Sequence, residues 1–143
     1  MTDLRRLPGA AQLELRAYER VLGSGLLTPK AAATIKALYA HERAHAAALT
    51  KLGAPATAKP ETALTRQLRT QADCLQLLIT AEEFALGACY DAIERLTDAR
   101  ALRVATAIMA AEAQHRTVLS ELLHPGDVTA ALPASRVIGI GIG

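Results

Sequence analysis

A chain of 143 residues suits one domain with a single core. It is 51% hydrophobic yet only 3% aromatic, with no Trp and one Phe, so that core must be assembled from Leu, Ile, Val and Ala, which favours closely spaced helices over a sheet. A formal net charge of +2 and the lack of any Lys/Arg run give no ground for nucleic acid or a membrane surface as a partner.

Taken in chain order, the punctuation predicts four helices, with a bundle over residues 1–124 and a flexible tail over 125–143. The first begins near Pro8, a good first-turn residue, and runs to the "GSG" at 23–25. The second has Thr28 as N-cap and Pro29 in its first turn, and ends at Leu52 before Gly53. The stretch "GAPATAKP" (53–60) reads as the longest internal linker, and the third helix is expected from about Glu61 to Leu96, continuous or broken near its start. Asp98 is a natural N-cap for the fourth, which stops around His124 ahead of Pro125 and Gly126.

Each helix carries a stripe with steps of three or four, the spacing of a bundle seam. On the first it is Leu7, Ala11, Glu14, Tyr18 and Val21, and on the second Ile35, Leu38, Glu42, His45, Leu49 and Leu52. On the third it reads Leu75, Ile79, Glu83, Leu86, Tyr90 and Ile93, and on the fourth Val104, Ile108, Glu112, His115, Leu119 and Leu122. Short connections make antiparallel hairpins of the first and second pairs. These hairpins look like repeats: "YERVLGSGLLTPKAAATIKALYAHERAHAAAL" parallels "YDAIERLTDARALRVATAIMAAEAQHRTVL", with a two-residue length change in the turn. The fold class expected is all-α, an antiparallel four-helix bundle with a pseudo-twofold axis.

The repeat duplicates Glu-x-x-His, as Glu42 with His45 and Glu112 with His115. Residues at i and i+3 share a helix face, so each pair can reach one ion together. Carboxylate oxygen with imidazole nitrogen is a donor set suited to iron, manganese or zinc. A single such pair is weak evidence, since many face water. Both here lie on an apolar stripe, where an unpartnered carboxylate is costly to bury.

Four helices with Glu-x-x-His on the second and fourth resemble the ferritin-like superfamily of di-iron and di-manganese carboxylate proteins, over about residues 8–124. The nearest resemblance is to small bacterial, rubrerythrin-like domains of this type, whose halves pair a Glu-to-Tyr first helix with a Glu-x-x-His second. The resemblance implies a carboxylate-bridged centre of iron, or manganese, and redox chemistry with O2 or peroxide, as a ferroxidase or peroxidase or in iron handling. It also implies assembly into a homo-oligomer. Glu42, His45, Glu112 and His115 match the paired motif directly. On the third helix, Glu83 lies seven residues before Tyr90, the family's spacing, while its neighbour Glu82 is about 100° around the helix at the stripe's edge. The first helix departs from the pattern, because Ala11 stands seven residues before Tyr18. Either Glu14 serves with a shifted helix, or the site lacks its fourth carboxylate. Tyr18 and Tyr90 would support the ligands by hydrogen bonding. Tyr39 is assigned to packing and His41, off the seam, to the solvated surface. His124 is placed to meet the fourth helix's C-terminus.

Cys74 and Cys89 share a helix and are about 22 Å apart along it, too far to bridge, and read as buried small hydrophobes. The start "MTDLRRLPGAAQ" has no apolar h-region, and no segment reaches the roughly 18 apolar residues of a span, so a soluble cytoplasmic protein is expected. In the tail, Ile138, Ile140 and Ile142 alternate with glycine, a strand-like pattern. Residues 133–143 read either as a disordered end or as a docking peptide, loosely similar to the C-terminal tags that load ferritin-like cargo into encapsulin shells. A metal-free bundle serving as an interaction module is the rival to the metal-centre reading, with Ala11 as its best support.

Overall fold

The structure is a computed structural model that describes residues 4, 6–54 and 64–131. Four long helices, α1 (Leu7–Leu22), α2 (Pro29–Lys51), α3 (Gln71–Ile93) and α4 (Ala99–Leu123), make an all-α bundle, followed by a single turn, α5 (Val128–Ala131). There is no strand among the described residues. Around the bundle α1 packs on α2 and α3, α3 on α4, and α4 on α2, which leaves α1 opposite α4 and α2 opposite α3. No helix among the described residues is long and apolar enough to cross a membrane.

Local chemistry sets the helix ends. Thr28 Oγ1 accepts from the Ala31 amide ahead of α2, and Asp98 Oδ1 accepts from the Ala101 amide at 2.7 Å ahead of α4, each supplying a partner to an otherwise orphaned first-turn N–H. Past α2, Gly53 adopts φ +94°, a left-handed conformation that lets Ala54 N–H return to the Leu49 carbonyl.

The third helix corrects the expected boundaries. It starts at Gln71 rather than Glu61 because Thr70 and Asp73 form a capping box: Thr70 Oγ1 accepts from the Asp73 amide, and the Asp73 carboxylate accepts from the Thr70 amide. Residues 64–69 run irregularly instead, with Arg20 of α1 donating to the carbonyls of Leu64 and Arg66. The expected start itself, residues 61–63, lies outside the described residues. At the far end α3 stops at Ile93, and Leu96 falls in the turn. Within the segment read as a flexible tail, α5 packs on α4. The docking peptide proposed for 133–143 lies outside the described residues.

The core is aliphatic, as the composition requires, and α3 is its most enclosed member. Leu75, Leu77, Leu78, Ile79, Ala81, Ala85 and Ala88 are all buried, on more than one face of the helix, because α3 lies between α1 and α4. Alanines at 81, 85 and 88 on α3 and at 101 and 105 on α4 are all buried, and such small side chains allow two helices to approach closely.

Candidate metal centre

Four glutamates and one histidine are buried near the middle of the four helices. Glu14 (2% exposed) comes from α1, Glu42 (1%) from α2, Glu82 (0%) from α3, and Glu112 (0%) and His115 (3%) from α4. His45 flanks them from α2, with its side chain 14% exposed. Glu42 and Glu112 lie equally far into their helices, as the repeat demands. Glu14 sits one turn nearer the C-terminal end of its helix than Glu82 does, which is where the repeat is imperfect.

One donor atom from each of Glu42, Glu82, Glu112 and His115 lies within 4.8 Å of every other. The two imidazoles divide the cluster between them. His45 Nδ1 is 3.2 Å from Glu42 Oε2 and 2.9 Å from Glu112 Oε1. His115 Nδ1 is 2.7 Å from Glu42 Oε1, 3.3 Å from Glu112 Oε2 and 3.6 Å from Glu82 Oε2. Glu42 and Glu112 therefore each turn one oxygen toward each imidazole.

Much of this polar surface is unsatisfied. Glu14 Oε1, Glu42 Oε1, Glu82 Oε2, both oxygens of Glu112 and Nδ1 of His115 are sealed from solvent without a properly directed hydrogen bond among the described residues. The 2.7 Å approach of His115 Nδ1 to Glu42 is thus a charge contact, not an aligned bond. An orphaned buried carboxylate oxygen costs several kcal/mol, so a cluster of them is a place where a bound cation would be held. A cation among the donor atoms of Glu42, Glu82, Glu112 and His115 would satisfy these four together, and the mixed oxygen and nitrogen set fits iron, manganese or zinc.

Protonation follows the same logic. Burial, reinforced by the negative charges of Glu112, Glu42 and Glu82, raises Glu14 well above the usual carboxylate range. Burial likewise raises Glu82, with Glu112 adding to it against the opposing pull of His115. Burial would raise Glu112 too, but the imidazoles of His115 and His45 against it override that and hold the carboxyl down at about 2. Burial would lower His45, yet Glu112 and Glu42 hold it up to about 9, and the carboxylates around His115 raise it to about 12.

On α1, α2 and α4 the expected stripes coincide with the buried faces. Glu42, His45, Glu112 and His115 come together, and Glu14 is enclosed with them. On α3 the expectation is displaced by one residue. Glu83 faces Arg116, whose Nε donates to its Oε1 at 2.9 Å, and stands outside the cluster, while Glu82 takes the interior place. Tyr90, expected beside the ligands, is 41% exposed. The buried line is instead Leu75, Leu78, Glu82, Ala85, Cys89 and Ala92, also stepping by three and four. Two such lines compete because α3 is apolar nearly all round, so periodicity alone does not phase it. The tyrosine that meets the α3 carboxylate comes from α1: Tyr18 donates its hydroxyl to Glu82 Oε1. His41 is exposed, as expected, and in addition lies against His115, its Nδ1 3.1 Å from Nε2. Tyr39, assigned to packing, stacks on Tyr18 at 6.3 Å between ring centroids and also donates to Glu19. Cys74 and Cys89 are free and buried.

The sequence model of one protein family, described as a ferritin-like domain, matches residues 7–125. No curated protein and no solved structure shows significant similarity to the chain.

Proposed function

Because the chain belongs to the ferritin-like domain family, we propose that it holds a carboxylate-bridged pair of metal ions, iron first and manganese second, and uses them in redox chemistry with O2 or peroxide or in iron oxidation and handling. The observation that carries this reading is the division of Glu42 and Glu112, each with one oxygen toward His45 and the other toward His115. Glu42, Glu112, His45 and His115 would hold the ions between them, the carboxylates offsetting the metal charge. Glu82 completes the set on the His115 side, and Glu14, buried with an unpartnered oxygen, is the fourth carboxylate. The ligand assignment is thus Glu14, Glu42, His45, Glu82, Glu112 and His115.

Bound iron would supply electron exchange with O2 or peroxide. The protein's part is to exclude water with the aliphatic core, to present charge of the right sign, and to hold Glu82 through Tyr18. Assembly into a homo-oligomer and residence in the cytoplasm, where two free thiols stay reduced, belong to the same proposal.

The test is metal content and stoichiometry per chain, measured on protein purified with and without added Fe(II), together with Fe(II) oxidation followed by absorbance. Two ions per chain are expected, with loss of both ions and activity in Glu42→Ala and Glu112→Ala. Wild-type protein that takes up neither iron nor manganese would instead favour the metal-free interaction module.

A further inference from the structure

The two nitrogens of His115 have opposite surroundings. Nδ1 is turned on Glu42, Glu112 and Glu82 at 2.7, 3.3 and 3.6 Å. Nε2 points the other way, to Nδ1 of His41 at 3.1 Å. The His41 and His115 rings stack with centroids 5.2 Å apart and 27° between planes, and the His45 ring stacks on His115 as well, at 5.8 Å and 17°. His41 and His45 are one helical turn apart on α2, so a single helix lays two imidazoles against the α4 histidine.

We infer that His41 is a positioning residue: its Nδ1 accepts the Nε2–H of His115 and so orients that ring, leaving Nδ1, on the carboxylate side, as the nitrogen that gives up its proton when an ion binds. A neutral imidazole carries its proton on one nitrogen and a lone pair on the other, and the hydrogen bond made by one nitrogen decides which. A metal ligand at Nδ1 needs the proton on Nε2, and that N–H needs an acceptor. All three nearby carboxylates stand on the Nδ1 side, which leaves His41 Nδ1 as the acceptor within reach among the described residues. His41 is itself exposed, so its own Nε2–H has water as a partner. An outer partner of this kind fixes both tautomer and ring orientation of a ligating histidine. Exposure masks the role in the sequence, because a histidine beside the seam and open to solvent reads as surface.

The inference rests on the metal-binding reading above, and the test separates the two. Co(II) or Fe(II) binding is followed by absorbance in wild type and in His41→Ala, His41→Phe and His41→Asn, with circular dichroism to verify the fold. His41→Phe keeps a stacking ring without an acceptor, and His41→Asn places a carbonyl oxygen near the position of Nδ1. The Ala and Phe variants are expected to bind about 10-fold or more weakly, and Asn to restore most of that loss. In parallel, the ring Nε2–H of His115 is read by 15N–1H NMR of metal-free protein. Its protection from solvent exchange is expected in wild type and the Asn variant, and lost in Ala and Phe. Wild-type affinity in His41→Phe would overturn the role of His41 and leave the metal centre standing. No binding by the wild type would remove the metal centre and this role with it.

Discussion

Tyr18 of α1 donates its phenolic hydroxyl to Oε1 of Glu82 on α3, and both side chains are fully buried. Burial, with the Glu82 carboxyl beside it as hydrogen-bond acceptor, pushes the phenol well above its ordinary range, so it remains a donor at any physiological pH. This bond joins two helices at the level of the cluster and holds the α3 carboxylate among the other donor atoms. It links the core of the fold to the chemistry of the site.

Tyr18→Phe keeps the ring and its packing but leaves Glu82 Oε1 without its donor. Loss of a buried partner of this kind costs about 1–3 kcal/mol, to be read as a lower denaturation midpoint in urea for the metal-free protein. Metal affinity should fall roughly 10-fold as Glu82 loses its anchor. An unchanged midpoint together with unchanged affinity would show that the bond holds nothing in place.

The adjacent pair Glu82 and Glu83 should separate cleanly. Glu82→Gln is expected to lower metal content. Because burial already favours the protonated, neutral form of Glu82, the amide should alter the stability of the metal-free protein by no more than about 1 kcal/mol. Glu83→Gln removes the ion pair with Arg116, whose side chains are 11% and 18% exposed, and should leave metal content intact. Its cost falls on stability alone, about 1 kcal/mol. Metal analysis and denaturation of both variants decide the matter, and the reverse pattern would move the ligand to Glu83.

Metal binding should release protons. Glu14, Glu82, His45 and His115 all have raised folded pKa values in the metal-free cluster, so they hold protons at neutral pH that an ion must displace. Affinity therefore rises with pH, most steeply below the value of about 9 at His45, and it is lost in acid. Calorimetry in buffers of different ionisation enthalpy should report net proton release. Proton uptake, or an affinity that falls with rising pH, would contradict this account.

Much of the molecule was legible before any coordinates. The caps at Thr28 and Asp98, the breaks at Gly23 and Gly53, and the repeated Glu-x-x-His pairs depend on residues close together in sequence, and they appear where expected. Glu14 was readable as a candidate, beside the alternative that the site lacks its fourth carboxylate, because α1 has one apolar face and the glutamate interrupts it. The start of α3 at Gln71 depended on Thr70 and Asp73, a local pair that the sequence did contain.

By itself the sequence determined an all-helical bundle and the face shared by Glu42, His45, Glu112 and His115, which the structure brings together, since both follow from spacing along single helices. Only the tertiary structure decided between Glu82 and Glu83. α3 is covered by α1 on one side and α4 on another, so its apolar pattern has no single phase, and the choice rests on Tyr18 and Arg116 arriving from other helices. The same holds for His41, whose contact with His115 spans 74 residues and exists only because α2 and α4 lie side by side.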